Sequence, residues 1–366
     1  MIFGERVKQA RELNGFTQTE LANGLAITQS SVAQIESGRL SPSPELLEGI
    51  ALQTRFPPSF FKQPPDDDFP LGSLLFRSKA AATSREEKRV YRYAQIGYRI
   101  IDKLLAKAKA IPLRLPRVDD DLPGTAADLT RAALGLSPDQ PIGHLTNTVE
   151  RAGVLGLALP VQSQHIDAFS SWVGPKSERP LIVMARAEGD GARLRWSLAH
   201  EIGHLVTHQA VIGDLAEIEQ EANQFAGQFL MPEAAIREEL LPPVTLASVA
   251  GLKQRWGVSM QALIMRALEL NIITARQRKY LFQQLSMRGW RTREPQNLDV
   301  DLERPQSLPQ LASLFYGDPI DCGRLASATN VHRQLIEDFI AAHGVVVPQR
   351  SSSRELLSFE QASSRN

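Results

Sequence analysis

A His-Glu-Ile-Gly-His sequence lies within one short, mainly apolar run at residues 195–208. His200 and His204 are four positions apart, and Glu201 directly follows the first of them. On an α-helix, residues four positions apart project from one face, one turn from each other, so both imidazoles can reach a single zinc ion. Glu201 then lies beside a fourth, water-occupied position, where a carboxylate acts as a general base. The spacing therefore predicts a site for one Zn²⁺ per chain, with the chemistry of metal-assisted hydrolysis.

A zinc site of this kind needs a third protein ligand, and the acidic segment at residues 217–230 offers two candidates. Glu219 shares a helical face with small residues that allow close approach to the histidine-bearing helix, whereas Glu221 falls on the face of Phe225. We therefore prefer Glu219 and keep Glu221 as the alternative. His208 continues the histidine face but lies about 12 Å from His200 along the helix axis, too far for all three histidines to share one ion.

A second motif, at residues 17–39, has a different chemical character. A helix that begins near Gln18 is followed by a three-residue turn, and Thr28 is placed to cap a second short helix. Val32 and Ile35 point to the core of this module, while glutamine and serine side chains occupy the outer face of the second helix. Glutamine can pair with the adenine edge in the major groove, so the arrangement predicts a DNA-reading helix-turn-helix.

The elements that position these residues are mostly helical. Apolar periodicity predicts four or five short helices within residues 1–55 and further helices at residues 191–207, 217–230 and 246–270. Three short apolar runs bounded by Gly, Pro or Ser are typical of strands: AGVLGLALP at 152–160, AFSSWV at 168–173 and PLIVMA at 180–185. The predicted fold class is mainly α with a small β-sheet, that is, α+β.

Two proline- and acid-rich stretches divide the chain. The first, at residues 56–70, ends the N-terminal helices, and the second, at residues 114–124, ends a basic helical segment. These breaks predict a five-helix DNA-binding bundle, a linker with a basic helical connector, a metal-binding domain, and a helical C-terminal appendage with a frayed tail. The corresponding residues are 1–60, 61–120, 121–288 and 289–366.

Charge is unevenly distributed, although the formal net charge is +0. Residues 1–62 carry six Lys or Arg and six Asp or Glu, whereas residues 76–117 carry twelve Lys or Arg and three Asp or Glu. This basic block has two interpretations. In the first, the block is a solvated helix face whose positive charge is balanced by the acid runs at residues 66–68 and 119–121. In the second, it is an auxiliary contact to DNA phosphates or to a second subunit.

The number of cysteines and the length of the apolar runs argue against a disulfide-bonded or membrane-spanning protein. The single cysteine, Cys322, excludes an intramolecular disulfide framework, so any zinc must be held by histidine and carboxylate. The N-terminus reaches a charged residue within five positions, and no run approaches the roughly 18 apolar residues of a membrane span. These features predict a cytoplasmic protein without a membrane partner.

The stretch from Arg11 to Ala51 closely resembles the DNA-binding domain of XRE-type regulators, including the Glu-Ser-Gly-Arg sequence at residues 36–39. The resemblance implies that double-stranded operator DNA is a partner. It assigns base reading to Gln29, Ser30 and Gln34, phosphate contacts to Gln18 and Arg39, and the N-terminus of the reading helix to Thr28. Because residues 1–62 carry no net charge, one copy should bind DNA weakly, which favours a homodimer.

The stretch from about Gly153 to Leu270 resembles the ImmA/IrrE family of zinc metallopeptidases, which implies a zincin-like domain that hydrolyses peptide bonds. LLFRSK at 74–79 and RGWRTREP at 288–295 look like features of the subgroup that joins an XRE-type head to this domain. The resemblance implies that Glu201 takes a proton from water and passes it to the leaving amine. It also implies that PLIVMA pairs with extended substrate as an edge strand.

Stabilisation of an oxyanion is the step for which the sequence offers no single residue. No tyrosine lies between Tyr98 and Tyr280, so the motif region lacks a tyrosine for this role. His165, His208 and Arg193 remain as alternatives.

Two functions compete at this point. The first is a DNA-binding transcriptional regulator with a zinc-dependent endopeptidase domain that cleaves a partner regulatory protein, in response to stress or to a mobile element. The second is a non-catalytic regulator or antitoxin whose peptidase-like domain senses a ligand or docks a partner. The complete set of His200, Glu201, His204 and Glu219 favours the first function.

Overall fold

The structure is a computed structural model that describes residues 1–65, 69, 84–108, 111–118, 122–161, 163, 165–174, 176–185, 189–208 and 214–346. Within these ranges the chain forms sixteen α-helices and one three-stranded sheet. The predicted class, mainly α with a small β-sheet, is confirmed. The LLFRSK stretch, both acid runs and the tail after residue 346 lie outside the described residues.

The N-terminal module consists of four α-helices and a short 3₁₀ turn. The helices are α1 (Gly4–Leu13), α2 (Gln18–Gly24), α3 (Gln29–Glu36) and α4 (Pro44–Thr54), and the turn is Phe60–Lys62. The side chains of Thr17, Thr28 and Ser43 cap α2, α3 and α4 by accepting backbone N–H groups. The predicted fifth helix is thus a single turn, since the prolines at positions 57 and 58 lack the N–H donors that a longer helix needs.

A long basic helix, α5 (Ser84–Leu105), packs against α1 and against the C-terminal helices. Arg92 donates to the Glu12 carboxylate of α1 at 2.7 Å. Further along α5, Arg99 donates to the backbone carbonyl of Thr329 at 2.9 Å. These basic side chains therefore join the N-terminal module to the C-terminal helices, a role that neither interpretation of the basic block included.

The sheet is small and mixed. After α6 (Pro123–Ala133) and α7 (Leu145–Arg151), its strands are β1 (Leu155–Ala158), β2 (Ala168–Val173) and β3 (Arg179–Met184). The order is β1-β3-β2, with β1 parallel and β2 antiparallel to β3. All three predicted strands are present, but the expectation that PLIVMA is an edge strand is wrong. It forms most of β3, which lies in the centre because β1 and β2 pair with its two sides.

Nine helices follow the sheet in the part of the chain that the structure describes. They are α8 (Gly191–Thr207), α9 (Leu215–Leu230), α10 (Glu233–Glu239), α11 (Leu246–Trp256), α12 (Met260–Glu269), α13 (Ala275–Met287), α14 (Ser307–Tyr316), α15 (Cys322–Thr329) and α16 (Arg333–Ala342). The helical pattern at residues 246–270, whose second part has a helix-turn-helix cadence, divides into α11 and α12 at Gly257, whose φ of +64° belongs to the left-handed region. The apolar residues on both sides of this break are buried, as expected for helices that pack against the metal-binding domain.

Two hydrophobic cores meet at the sheet. The first contains the N-terminal module, α5 and the C-terminal helices, and it covers the face of the sheet that carries Phe169 and Val183. The second contains α8 and α9, and it covers the opposite face, where Ile182 and Met184 point. Because successive side chains of a strand alternate between faces, β3 contributes to both cores, with Leu181 and Val183 in the first and Ile182 and Met184 in the second.

Candidate functional site

The two histidines lie on the buried face of α8. The helix begins after Asp190, whose side chain accepts the backbone N–H of Ala192, and it ends at Thr207 as predicted. His200 and His204 are 3% and 4% exposed, and their Nε2 atoms lie 3.1 Å apart. The i, i+4 spacing therefore brings both ring nitrogens to one point, as the sequence predicted.

Glu219 reaches the histidine pair from α9, which packs closely along α8. The contact distances are 3.4 Å from Glu219 Oε2 to His200 Nε2 and 3.4 Å from Glu219 Oε1 to His204 Nε2. Close approach of the helices is possible because Gly203 leaves room for the Phe225 ring. Burial alone would raise the pKa of Glu219, but the contacts with His200 and His204 outweigh it and hold this pKa well below its usual value.

The three ligand atoms fit the dimensions of a zinc site. Zinc–nitrogen distances of about 2.0–2.1 Å in a tetrahedral site place neighbouring ligand atoms about 3.3 Å apart. The two Nε2 atoms lie 3.1 Å apart, each lies 3.4 Å from a different oxygen of Glu219, and one ligand atom from each residue lies within 4.8 Å of the others. Moreover, Glu219 Oε1 is buried and has no hydrogen-bond partner among the described residues. A cation between these atoms would satisfy it, so the donor set of two imidazoles and one carboxylate fits zinc.

Asn223 fixes the protonation of His200. Its Nδ2 donates to the Glu219 carbonyl at 2.8 Å, which orients the amide so that Oδ1 faces His200 Nδ1 at 3.1 Å. The Nδ1 atom of His200 must then carry the hydrogen, since an amide oxygen only accepts. In a neutral His200 ring, Nε2 is then the nitrogen without a hydrogen, which is the state that a metal ligand requires.

Glu201 lies on a neighbouring face of α8, toward the sheet. It is 0% exposed, and its Oε2 accepts a hydrogen bond from Ser170 Oγ of β2 at 2.8 Å. Ser170 is not among the site residues predicted from the sequence. A signal was present, because AFSSWV places a serine on the same face of the strand as Trp172, where an apolar residue is expected opposite a buried helix.

The structure gives Glu221 and His208 a place beside the histidine pair. His208 Nδ1 lies 3.1 Å from His204 Nδ1, and His208 Nε2 lies 2.8 Å from Glu221 Oε2. Burial and the two neighbouring histidines lower the pKa of His208, against the opposing effect of Glu221. Glu221 thus contacts His208, whereas Glu219 contacts both His200 and His204.

The remaining candidates for oxyanion stabilisation lie elsewhere. Arg193 stands almost two helical turns before His200 and donates to Asp167 at 2.8 Å. His165 lies in the segment before β2, where its backbone N–H donates to the hydroxyl of Ser163. Of the three alternatives, His208 is the one that the described contacts place against a histidine of the pair.

The candidate DNA-reading face belongs to α2, α3 and the turn after α3. The side chains exposed on it are Thr28, Gln29, Ser30, Gln34 and Arg39. Thr28 also caps α3, since its hydroxyl accepts the N–H of Ser31. Gln18 links the two helices, because its amide donates to Glu36 at 2.8 Å and accepts from Gln29 at 2.7 Å. The predicted DNA-binding residues therefore lie together, on elements separate from those of the histidine pair.

Comparison with known protein families agrees with both halves of this description. Residues 149–268 match the peptidase M78 family model, described as an IrrE N-terminal-like domain. Residues 7–61 match the helix-turn-helix family model. No match to a curated protein was found. Within the described residues, no helix is long and apolar enough to cross a membrane. The chain thus contains a region similar to helix-turn-helix domains, followed by a region similar to IrrE-like peptidase M78 domains.

Proposed function

We propose that this protein is a transcriptional regulator that binds operator DNA through α3 and carries a zinc-dependent endopeptidase domain that cleaves a partner regulatory protein in the cytoplasm. The observation that carries the proposal is the convergence of His200, His204 and Glu219 at separations that suit one zinc ion. Glu201 lies on the same helix, one residue after the first ligand. This is the arrangement in which a carboxylate serves as base while leaving the ligand set intact.

The residues of this site supply the steps of peptide hydrolysis. Bound zinc provides a Lewis acid that polarises the scissile carbonyl. Glu201 takes a proton from the attacking water and transfers it to the leaving amide nitrogen. Ser170 fixes the orientation of this carboxylate by donating to its Oε2 at 2.8 Å.

The DNA-binding part of the proposal rests on the exposed polar face of α3. Gln29 and Gln34 present amides that can pair with adenine in the major groove, and Arg39 supplies a positive charge for a phosphate. Because residues 1–62 have equal numbers of acidic and basic residues, the proposed binding unit is a homodimer on a two-fold operator.

The metal assignment is tested by zinc analysis of protein purified without added metal. Wild type should hold about one zinc per chain, and His200→Ala or His204→Ala should lose it, since two ligands do not close a stable site. Glu201→Gln should retain zinc, because it removes no ligand. Glu219→Gln should lose zinc while Glu221→Gln keeps it. Equal zinc content in all five variants would contradict the site.

The catalytic assignment is tested by comparing Glu201→Gln with His204→Ala at the native locus, using a promoter reporter and immunoblots of proteins encoded nearby. Glu201→Gln should eliminate cleavage of the partner while leaving operator affinity and folding unchanged. The exposed Glu217, on α9, provides a matched control as Glu217→Gln. If Glu201→Gln responds as wild type while His204→Ala is defective, the domain is a metal-dependent sensor or docking module rather than a peptidase.

The DNA assignment is tested by binding to a specific operator and to random duplex. Gln34→Ala should cost about 1–3 kcal/mol on the operator and little on random duplex, as for a base-edge contact. Arg39→Ala should weaken both equally, as for a phosphate contact. A uniform loss from Gln34→Ala would assign this glutamine to positioning rather than to base reading.

A further inference from the structure

A chain of three side chains leads from the histidine pair toward solvent. His204 Nδ1 lies 3.1 Å from His208 Nδ1, and the far nitrogen of His208 lies 2.8 Å from Glu221 Oε2. The His208 side chain is 7% exposed and the Glu221 side chain 48% exposed. The contact between His208 and Glu221 also joins the C-terminal end of α8 to α9.

The position of each hydrogen along this chain follows from the proposed zinc site, on which the inference rests. If His204 binds metal through Nε2, its Nδ1 must carry the hydrogen and donate it. The hydroxyl of Thr207 also lies near His208 Nδ1, at 3.2 Å, but it donates its hydrogen to the Gly203 carbonyl at 2.9 Å. His208 Nδ1 therefore accepts from His204, and His208 Nε2 carries a hydrogen that it donates to Glu221.

We propose that His208 and Glu221 are positioning residues for the metal centre, which hold His204 as the Nδ1–H tautomer and fix the orientation of its ring. A carboxylate that acts through an imidazole increases the electron density of the next ring, which strengthens its bond to a metal. His200 receives a weaker version of this support, since its Nδ1–H meets the neutral amide of Asn223. The two histidine ligands are thus supported unequally, and Glu221 serves the site without being a ligand.

The test measures zinc affinity by chelator competition in the full chain. His208→Leu should lower the affinity about 10–100-fold, the usual effect of losing such an outer partner. His208→Gln should restore most of it, because the amide oxygen can accept from His204 while the amide nitrogen donates to Glu221. Glu221→Ala should weaken zinc binding less than His208→Leu does, and Glu217→Ala, on the same helix, should match wild type.

A second measurement separates positioning from simple packing. In zinc-loaded wild type, long-range proton–nitrogen NMR should show hydrogen on Nδ1 of His204 and on Nε2 of His208. Hydrogen on Nδ1 of His208 would overturn the inference, and so would equal zinc affinity in wild type and His208→Leu. Failure of wild type to bind zinc would overturn the proposed function and this inference together, whereas equal affinities would overturn only the latter.

Discussion

Replacing Gly203 by alanine should push apart α8 and α9, the helices that carry the proposed zinc ligands. A Cβ atom at this position would lie 3.1 Å from Phe225 Cδ1, 3.2 Å from Cγ and 3.3 Å from Cβ. Ordinary van der Waals contact between carbon atoms begins near 3.5 Å, so either the ring or α9 must move by a few tenths of an ångström. Phe225 is 0% exposed and packed inside the second core, which leaves it little room to turn.

The expected cost follows from two opposing effects. Over-packing of a close-packed core costs about 1–3 kcal/mol. Alanine favours a helix interior over glycine by about 0.5–1 kcal/mol, which offsets part of that cost. The net loss in the free energy of unfolding should be roughly 0.5–2 kcal/mol. Because Glu219 precedes Phe225 by less than two turns on α9, the same displacement should also weaken zinc binding.

The assay is urea unfolding of the metal-free protein, with zinc affinity measured in parallel. Gly251→Ala is the matched control, because Gly251 lies in α11 and a Cβ there meets nothing within 4 Å. It should stabilise the protein by about 0.5–1 kcal/mol and leave zinc affinity unchanged. If Gly203→Ala behaves as this control does, close helix approach does not position Glu219, and the reasoning fails.

Three further changes test buried polar groups in other parts of the fold. Glu36→Gln should destabilise the helix-turn-helix domain by about 3 kcal/mol, measured by thermal unfolding, because it removes the nearer carboxylate of the buried Arg11 guanidinium and leaves Glu12 at 3.7 Å; no measurable loss would contradict this. Lys253→Met should cost about 3–5 kcal/mol in urea unfolding, since it leaves the buried Glu294 carboxylate without its cation; a cost below about 1 kcal/mol would count against it. Burial lowers the pKa of His343 from 6.5 to about 4. The contribution of the neutral ring to the free energy of unfolding is therefore fully present above pH 6.5, and it decreases by about 1.4 kcal/mol per pH unit as the pH falls toward 4. His343→Gln should flatten that part of the pH profile of unfolding.

Helical periodicity was the most informative sequence pattern at the histidine pair. Because side chains repeat every 3.6 residues, the phase of Glu219 relative to Glu221 could be read from the sequence, and the structure directs Glu219 at both histidines. The cap at Thr28 was an equally local signal. Each of these features depends on residues within a few turns of one another, which is the range over which a sequence pattern specifies geometry.

Contacts between segments that are distant in sequence could not be predicted from helical periodicity or capping patterns. Ser170 precedes Glu201 by thirty-one positions, and its role depends on which face of β2 meets α8. The order of the strands is a pairing choice that three short apolar runs leave open, and the edge position that the resemblance implied for PLIVMA is wrong. Likewise Arg99 finds its partner, the Thr329 carbonyl, 230 residues away, which no charge pattern along the chain can indicate.

The division of the molecule into two cores bears on how the chain folds during synthesis. Tyr93 and Gly97 of α5 lie against Phe339 of α16, with ring centroids 6.1 Å apart for the aromatic pair. More than two hundred residues separate these partners, so this face of α5 stays uncovered until α16 has left the ribosome. The second core lies wholly within the intervening segment and can close earlier. Ribosome-bound chains that lack α16 should therefore be chaperone substrates through α5, even after their metal-binding domain has folded.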